Sequence, residues 1–176
     1  LHRVDRRQRQ MCIRDSSSVN YKSSTSRGFA SPRNSGHSHW RYMKFIGKFG
    51  EYLVLTRLLE NEVEAYPAIK VNQDSYDLTA ISKSGRIVRI QVKSTDLNNK
   101  STNNTIGALA REFDFLVVVV VHGVRSADCY VLTHLEAQTL RGTSKHLGIS
   151  RKTNSRSEVK SELIQHQEMW NRIRDF

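Results

Sequence analysis

The residues best able to do chemistry lie in one predicted β-hairpin, residues 76–95. Along its second strand Gln91 and Lys93 alternate with apolar residues, so an amide and an ammonium group share one face. Asp77 opens the first strand, and hairpin pairing would bring its carboxylate beside them. A carboxylate, an amide oxygen and a lysine at a sheet edge could bind a metal ion and a water molecule. An ordinary hairpin with a polar outward face explains the same pattern, because such faces are common in antiparallel sheets.

The hairpin itself is predicted from its turn and from its alternation of apolar residues. The turn occupies residues 83–86, where Gly85 can adopt a positive φ angle. The opposite face of the second strand carries three apolar side chains, Val88, Ile90 and Val92. This face is therefore predicted to point into the core, which leaves the other face for the polar groups.

A fourth candidate, Glu51, lies in a predicted helix that spans residues 43–61. Apolar residues reach round most of this helix, which indicates packing on a sheet. Gly47 and Gly50 flank Glu51, and small residues there would let a backbone or a ligand come close. An unpaired carboxylate in such a place is costly, so it would need a lysine, a metal ion or water. Helical phase alone equally allows Glu51 to face solvent.

The order of the elements predicts an α/β domain with a mixed β-sheet. The apolar, β-branched run at 113–121 predicts a central strand that is buried on both faces. Residues 95–108 are rich in Asn, Thr and Ser and predict a mobile connection that could contact a substrate. In chain order the predicted elements are helix 43–61, strand 62–70, hairpin 76–95, strands 113–121 and 128–133, and helices 134–140 and 157–174.

A basic segment at 141–156 separates the last two predicted helices. It carries five lysines and arginines and no acidic residue. Two interpretations stand, a solvated loop or a surface that contacts phosphates. The candidate nucleic-acid contacts are three residues of this segment and one on the polar face of the hairpin: Arg151, Lys152, Arg156 and Arg89.

The N-terminal segment, residues 1–42, differs in composition from the rest of the chain. It holds nine of the 28 lysines and arginines but two of the 17 acidic residues, so most of the net charge of +11 lies there. It is rich in Ser, Arg and Asn without apolar periodicity, which predicts disorder. Residues 4–16 resemble translated adapter sequence. We therefore interpret 1–42 as a disordered, dispensable and non-native extension and 43–176 as the domain; the alternative is a basic arm that binds nucleic acid.

Several classes of protein are disfavoured by the composition. Two cysteines, Cys12 and Cys129, are too few for a disulfide framework or a cysteine-based zinc site, which favours a reducing, cytoplasmic location. The valine run at 117–121 is too short to cross a bilayer, and no secretory signal is visible, so no membrane association is expected. The histidines form no metal-ligand pattern, and no glycine-rich phosphate loop is present.

Together, the candidate residues resemble the motif of the PD-(D/E)XK nuclease superfamily. The resemblance rests on Glu51 in the first helix, Asp77 at the start of a strand and the run 91–93, Gln-Val-Lys, on the next strand. The glutamine in that run is similar to the branch that contains group I intron-encoded homing endonucleases. Tyr76 stands at the usual proline position, and Gln91 replaces the second acidic residue. Similar proteins of that branch carry glutamine and are active.

This resemblance, over residues 45–133, implies a restriction-endonuclease-like mixed β-sheet flanked by helices and a metal-dependent DNA endonuclease. Asp77, Gln91 and Glu51 would hold Mg²⁺, or Mn²⁺, through oxygen or through its water. Lys93 would position the attacking water and help to deprotonate it. The substrate would be double-stranded DNA, and a homo-oligomer is expected because two strands need two sites.

The resemblance leaves the type of activity open. Homing, restriction and junction-resolving enzymes share the implied fold, and a fold does not choose among them. The alternative is a catalytically inactive nuclease-fold module that binds nucleic acid. The neutral Gln91 and the basic segment 141–156 favour that alternative, whereas the joint presence of Glu51, Asp77 and Lys93 favours catalysis.

Overall fold

The computed structural model describes residues 43–68, 75–99, 105–107, 109, 112–123, 126–153 and 156–176, without the side chains of 152, 153, 156 and 157. The segment 1–42, for which disorder was predicted, lies outside the described residues. Among the described helices none is long and apolar enough to span a membrane. The elements in chain order are α1 (Ile46–Glu60), β1 (Glu64–Pro67), β2 (Leu78–Ile81), β3 (Ile87–Asp96), β4 (Thr105–Ile106), β5 (Phe115–Gly123), β6 (Ser126–Thr133), α2 (His134–Arg141), β7 (Leu147–Gly148), β8 (Ser150–Thr153), β9 (Arg156–Val159), α3 (Ser161–Ile164) and α4 (Asn171–Arg174).

A five-stranded mixed sheet forms the centre of the fold, with strand order β1-β2-β3-β5-β6. The pair β3 and β5 is parallel, and the other neighbours are antiparallel. Two small sheets, β4-β7 and β8-β9, accompany it. The predicted α/β class with a mixed sheet flanked by helices is confirmed.

Two apolar layers cover the two faces of this sheet. In the first layer α1 packs Val54 and Leu58 against one face of the sheet, which includes the predicted inward residues Val88, Ile90 and Val92. In the second layer α2 and the C-terminal part of the chain pack on the opposite face. Strand β5 supplies alternate residues to both layers and is buried from Phe115 to Val121, as its apolar run predicted.

The β2–β3 hairpin forms as predicted. Strand β2 pairs antiparallel with β3, with Leu78 opposite Ile90. At the turn Gly85 has a φ of 81°, a conformation in which a side chain would be strained. The backbone N–H of Gly85 donates to Ser82 O at 2.8 Å. The turn residues thus fix which face of β3 meets the core.

The helix predicted over residues 157–174 is wrong. Its first residues form β9, and the remainder is two short helices separated by Glu168, which has a φ of 52°. Leu163 packs in the second layer, whereas Trp170 and Ile173 pack in the first, so this part of the chain crosses the edge of the sheet. Backbone hydrogen bonds to β6, such as Val131 N to His166 O at 2.8 Å, accompany the crossing. A continuous helix could not bury residues on both faces.

Two predicted connections are also shorter or more ordered than expected. The segment 141–156 was predicted to be a loop, but it contains β7 and β8 and the first residue of β9, and the last two strands pair as a hairpin. The connection 95–108 was predicted to begin at residue 95, but β3 continues to Asp96, and β4 pairs with β7. The strands added in these segments are only two to four residues long, so single buried apolar residues such as Ile106 and Leu147 do not form a recognisable period-2 pattern.

The short helix predicted at 134–140 is confirmed as α2, and its N-terminus is held by a capping box. Thr133 Oγ1 accepts a hydrogen bond from Glu136 N at 3.3 Å, and Glu136 Oε2 accepts one from Thr133 N at 2.8 Å. The other carboxylate oxygen of Glu136 pairs with Arg172 Nη2 at 2.7 Å. Although burial opposes it, the hydrogen bonds from Arg172 and Thr133 lower the pKa of Glu136 to about 2.

We predict that Glu136→Ala destabilises the fold by about 1–2 kcal/mol, because both the cap and the link to Arg172 are lost. Glu136→Gln should lose less, since glutamine can complete a capping box. The folded-state pKa lies below the ordinary value, so the carboxylate stabilises above about pH 4.5 and this contribution disappears as pH falls towards 2. Urea denaturation at several pH values should show the gap between wild type and Glu136→Gln closing in acid. A gap that is independent of pH would contradict the ion pair.

Candidate functional site

The carboxylate of Asp77 is fixed against the backbone of β3. Asp77 Oδ2 accepts a hydrogen bond from Val92 N at 2.7 Å, and Asp77 N donates to Ile90 O at 2.9 Å. Asp77 directly precedes β2, so its side chain takes the place of the next backbone acceptor in the ladder. Val92 lies between Gln91 and Lys93. The predicted meeting of Asp77 with these residues at the end of the hairpin is therefore built into the pairing of the strands.

The electrostatic surroundings of Asp77 contain all the predicted charged residues of the site. Partial burial raises the pKa of Asp77, while the Val92 N–H and the charge of Lys93 act to lower it. The negative charge of Glu51 raises it further, and the positive charge of Lys48 lowers it. A half-buried carboxylate with a raised pKa lacks full compensation for its lost hydration. Such a group favours the approach of a cation.

Glu51 lies on α1 and pairs with Lys48, one turn earlier in the helix. Lys48 Nζ is 2.5 Å from Glu51 Oε2, and the Glu51 side chain retains 24% of its exposure. The expected partner of this carboxylate is therefore a lysine, and the Glu51 side chain remains partly exposed. Sequence reasoning missed Lys48, although its spacing of three residues from Glu51 is a recognisable signal for a helical ion pair.

Gly50 brings α1 close to β3 beside the candidate site. A Cβ atom added at Gly50 would lie 1.9 Å from Ser94 Oγ and 3.1 Å from Ser94 Cβ, so no larger residue fits without a shift. Ser94 follows Lys93 on β3. The group that comes close to Gly50, as the sequence predicted, is therefore strand β3. This close packing brings Glu51, the next residue of α1, towards the strand that holds Gln91 and Lys93.

Gln91 and Lys93 occupy different environments on β3. Gln91 is 3% exposed and lies opposite Leu116 of β5, whereas Lys93 is half-buried and lies opposite Val118. Gln91 has an interaction partner in the structure. Burial of an amide requires that its polar atoms be satisfied, so the orientation of Gln91 is constrained by its surroundings.

The donor chemistry of this set suits a hard divalent cation. Among the described residues no group of three or more His, Cys, Asp and Glu could hold a metal ion. The candidate set has two carboxylates, Asp77 and Glu51, and the amide of Gln91. Oxygen donors of this kind are those that Mg²⁺ and Mn²⁺ accept, usually together with water and substrate phosphate.

The candidate nucleic-acid contacts lie in three different situations. Arg89 forms an ion pair with Asp114, with Arg89 Nε 3.2 Å from Asp114 Oδ2, and its backbone N–H donates to the same oxygen at 2.8 Å. Arg151 is exposed on β8. The side chains of Lys152 and Arg156 lie outside the described residues, although the backbone places both on the β8–β9 hairpin. Contact of these four residues with DNA stays a prediction.

The fold resembles that of a solved structure of a bacterial homing endonuclease, I-Ssp6803I. The TM-score is 0.52 at 21% sequence identity, and the match covers 75% of this chain and 91% of the other. At this identity the likeness shows a nuclease-like fold. The sequence matches no protein-family model and no curated protein.

We predict that Asp77→Asn is more stable than wild type at neutral pH in the absence of metal. The folded-state pKa of Asp77 is raised, so its contribution to stability is present at low pH and is lost as pH rises through that pKa. Asparagine keeps an oxygen for Val92 N–H without the charge. Asp77→Ala removes that acceptor and should cost about 1–3 kcal/mol. Urea denaturation of wild type and both variants at several pH values measures these differences in stability. An Asp77→Asn variant that is less stable than wild type at neutral pH would contradict the argument.

Proposed function

We propose that this chain is a metal-dependent DNA endonuclease of the PD-(D/E)XK superfamily, with Mg²⁺ or Mn²⁺ as cofactor and double-stranded DNA as substrate. The single observation that carries the proposal is the Asp77 carboxylate, anchored at 2.7 Å on the backbone N–H between Gln91 and Lys93. The negative charge of Glu51, the fourth residue of the motif, acts to raise the pKa of Asp77, which supports its inclusion in the same site.

Each residue has a role that follows from its chemistry. Asp77 would bind the metal through a carboxylate oxygen, and Gln91 would offer its amide oxygen. The half-buried Lys93 would position the attacking water and assist its deprotonation. Glu51 would orient a water on the metal or Lys93. When bound, the metal would supply Lewis-acid stabilisation of the phosphoryl oxygen.

Among the activities implied by the motif, we favour a homing-type endonuclease. Its support is the fold likeness to a bacterial homing endonuclease, together with the Gln-x-Lys run at 91–93. Restriction and junction-resolving activities use the same chemistry, and DNA substrates of each kind would separate them. A cytoplasmic location agrees with a DNA substrate.

The second candidate function is a nuclease-fold module that binds nucleic acid without cleaving it. One observation favours it: Gln91 is 3% exposed and has a partner, as expected for a structural amide. In that case Gln91 would not exchange its partner for a metal ion. The two functions differ in their response to metal, which is directly measurable.

DNA contacts are proposed for the β8–β9 hairpin. Two-stranded ribbons fit the major groove of DNA, and phosphate contacts from lysine and arginine position a protein on the duplex. The register Arg151 to Glu158 and Thr153 to Arg156 places basic residues on both strands of this ribbon. Arg89 is proposed as a further contact that would exchange Asp114 for a phosphate.

We predict that wild type nicks plasmid DNA with Mg²⁺ and that EDTA stops the reaction. Asp77→Ala and Lys93→Ala should reduce cleavage below detection while DNA affinity changes little, because affinity rests on dispersed phosphate contacts. Lys83→Ala is the matched control: it removes an exposed lysine from the far end of the same hairpin and should cleave like wild type. Wild-type turnover in either site variant would overturn the nuclease assignment.

We predict opposite effects of two substitutions at Gln91. Gln91→Glu should bind Mg²⁺ or Mn²⁺ more tightly and retain cleavage, because a charged ligand replaces a neutral one. Without metal it should be less stable, since it buries a charge. Gln91→Leu should lose both metal binding and cleavage. Thermal unfolding with and without metal measures the binding, and equal metal-induced shifts in all three proteins would show that Gln91 is not a ligand.

We predict that neutralising Arg151, Lys152 and Arg156 weakens binding to every DNA sequence. Each lost phosphate contact should reduce the slope of log K against log salt by about 0.9. Arg151→Gln removes one positive charge from the β8–β9 hairpin, and Lys83→Gln removes one from the turn between β2 and β3. Only Arg151→Gln should therefore change the slope. Equal slopes for these two variants would leave the β8–β9 hairpin as a solvated ribbon.

A further inference from the structure

The ammonium group of Lys48 lies against the carboxylate of Glu51, one of the residues proposed for the metal site. Lys48 Nζ is 2.5 Å from Glu51 Oε2, a contact that is both a hydrogen bond and an ion pair. This hydrogen bond and the charge of Glu51 are the main causes that raise the pKa of Lys48. Glu51 is therefore already paired with a cation that the chain itself supplies.

The charge of Lys48 also reaches Asp77. Burial is the main influence on the pKa of Asp77 and raises it, whereas the charge of Lys48 acts to lower it. Asp77 in turn adds to the raised pKa of Lys48. The negative charge of Glu51 also raises the pKa of Asp77, so Lys48 partly offsets the repulsion between the two carboxylates.

Lys48 and Lys93 differ in their freedom to move. Lys93 is half-buried on β3. The Lys48 side chain is 67% exposed, and its ammonium group is held by an exposed ion pair at the end of a flexible four-carbon stem. Exposed pairs of this kind are weak because water competes for both charges. Lys48 can therefore leave Glu51 at little cost, whereas burial restrains Lys93.

Glu51 cannot serve Lys48 and a metal-bound water at the same oxygen. In the proposed function Glu51 orients a water on the metal, so its carboxylate must accept a hydrogen bond from that water. Lys48 donates to the same carboxylate at 2.5 Å. A divalent cation close to Glu51 and Asp77 would also repel the ammonium group. The two cations are therefore alternatives at this carboxylate.

We propose that Lys48 is the resident cation of the candidate metal site, held on Glu51 until a divalent cation displaces it. This inference rests on the proposed metal-dependent function and adds to it a competition that is built into α1. Lys48 limits the repulsion between Glu51 and Asp77, and it raises the metal concentration at which the site fills. Because the competition breaks one exposed ion pair, it should weaken metal affinity about two- to fivefold.

Manganese binding to the full chain tests the competition. The EPR signal of free Mn²⁺ measures the affinity at about 0.15 M salt, where screening limits the effect of distant charges. The part of the binding that Asp77→Ala removes belongs to the site. Lys48→Met, which keeps the length of the side chain without its charge, should bind Mn²⁺ about two- to fivefold more tightly than wild type. Lys48→Arg, which keeps the charge and the ion pair, should show no such gain.

Lys44→Met is the matched control. Lys44 is exposed, and its ammonium group lies 5.4 Å from the centre of the Phe45 ring. The variant removes the same charge near the same end of α1 but leaves the pair of Lys48 with Glu51 intact, so its Mn²⁺ affinity should match wild type.

The possible results separate the Lys48 proposal from the proposed function. Unchanged or weaker Mn²⁺ binding by Lys48→Met, or an equal gain in Lys44→Met, would overturn the role of Lys48 and leave the metal site standing. Absence of Asp77-dependent binding from every one of these proteins would overturn both.

An NMR signal from Lys48 itself tests the displacement. Reductive methylation with isotope-labelled methyl groups keeps the charge of lysine, and the Lys48 signal is the one that is missing from Lys48→Arg. Addition of Mg²⁺ should move this signal in wild type but not in Asp77→Ala. The Lys44 signal, assigned in the same way from Lys44→Arg, should stay in place. A Lys48 signal that does not move while the site binds Mg²⁺ would overturn the displacement.

Discussion

The candidate site depends on the hydrogen bond from Val92 N–H to the carboxylate of Asp77. Strand β2 begins only at Leu78, so β3 would offer this N–H without a backbone acceptor, and the side chain of Asp77 supplies one. The bond fixes where the carboxylate lies relative to Gln91 and Lys93. The same burial that makes the bond strong raises the pKa of Asp77, so the position is built at a cost in stability. Such a cost is characteristic of functional groups.

A second constraint joins the two layers of structure at the site. Gly50 allows α1 to approach β3 so closely that Ser94 Oγ occupies the space of a side chain, and this oxygen is buried without a hydrogen-bond partner among the described residues. An unsatisfied buried hydroxyl is unfavourable. The fold tolerates it where the approach carries Glu51 towards β3. Close packing and the placement of an acidic group are therefore consequences of the same glycine.

Local patterns predicted the elements whose signals are complete within a few residues. Gly85 defined the hairpin turn, and the valine run defined the central strand. The C-terminal region failed because Leu163 and Trp170 have helix-compatible spacing but pack on opposite faces of the sheet. The bond between Asp77 and Val92 could not be predicted either, since it depends on the residue at which β2 begins.

The charges around the candidate site bear on why a neutral glutamine could serve there. Asp77 and Glu51 contribute two negative charges, and Lys48 and Lys93 contribute two positive ones. The four groups balance before any metal binds, so a bound divalent cation would leave an excess of two positive charges for the phosphodiester. A glutamate in place of Gln91 would remove one of them. It would strengthen metal binding but weaken the attraction for the scissile phosphate. Lys48, which the motif does not include, is what makes this balance complete, so its pairing with Glu51 belongs to the electrostatics of the site as well as to the helix.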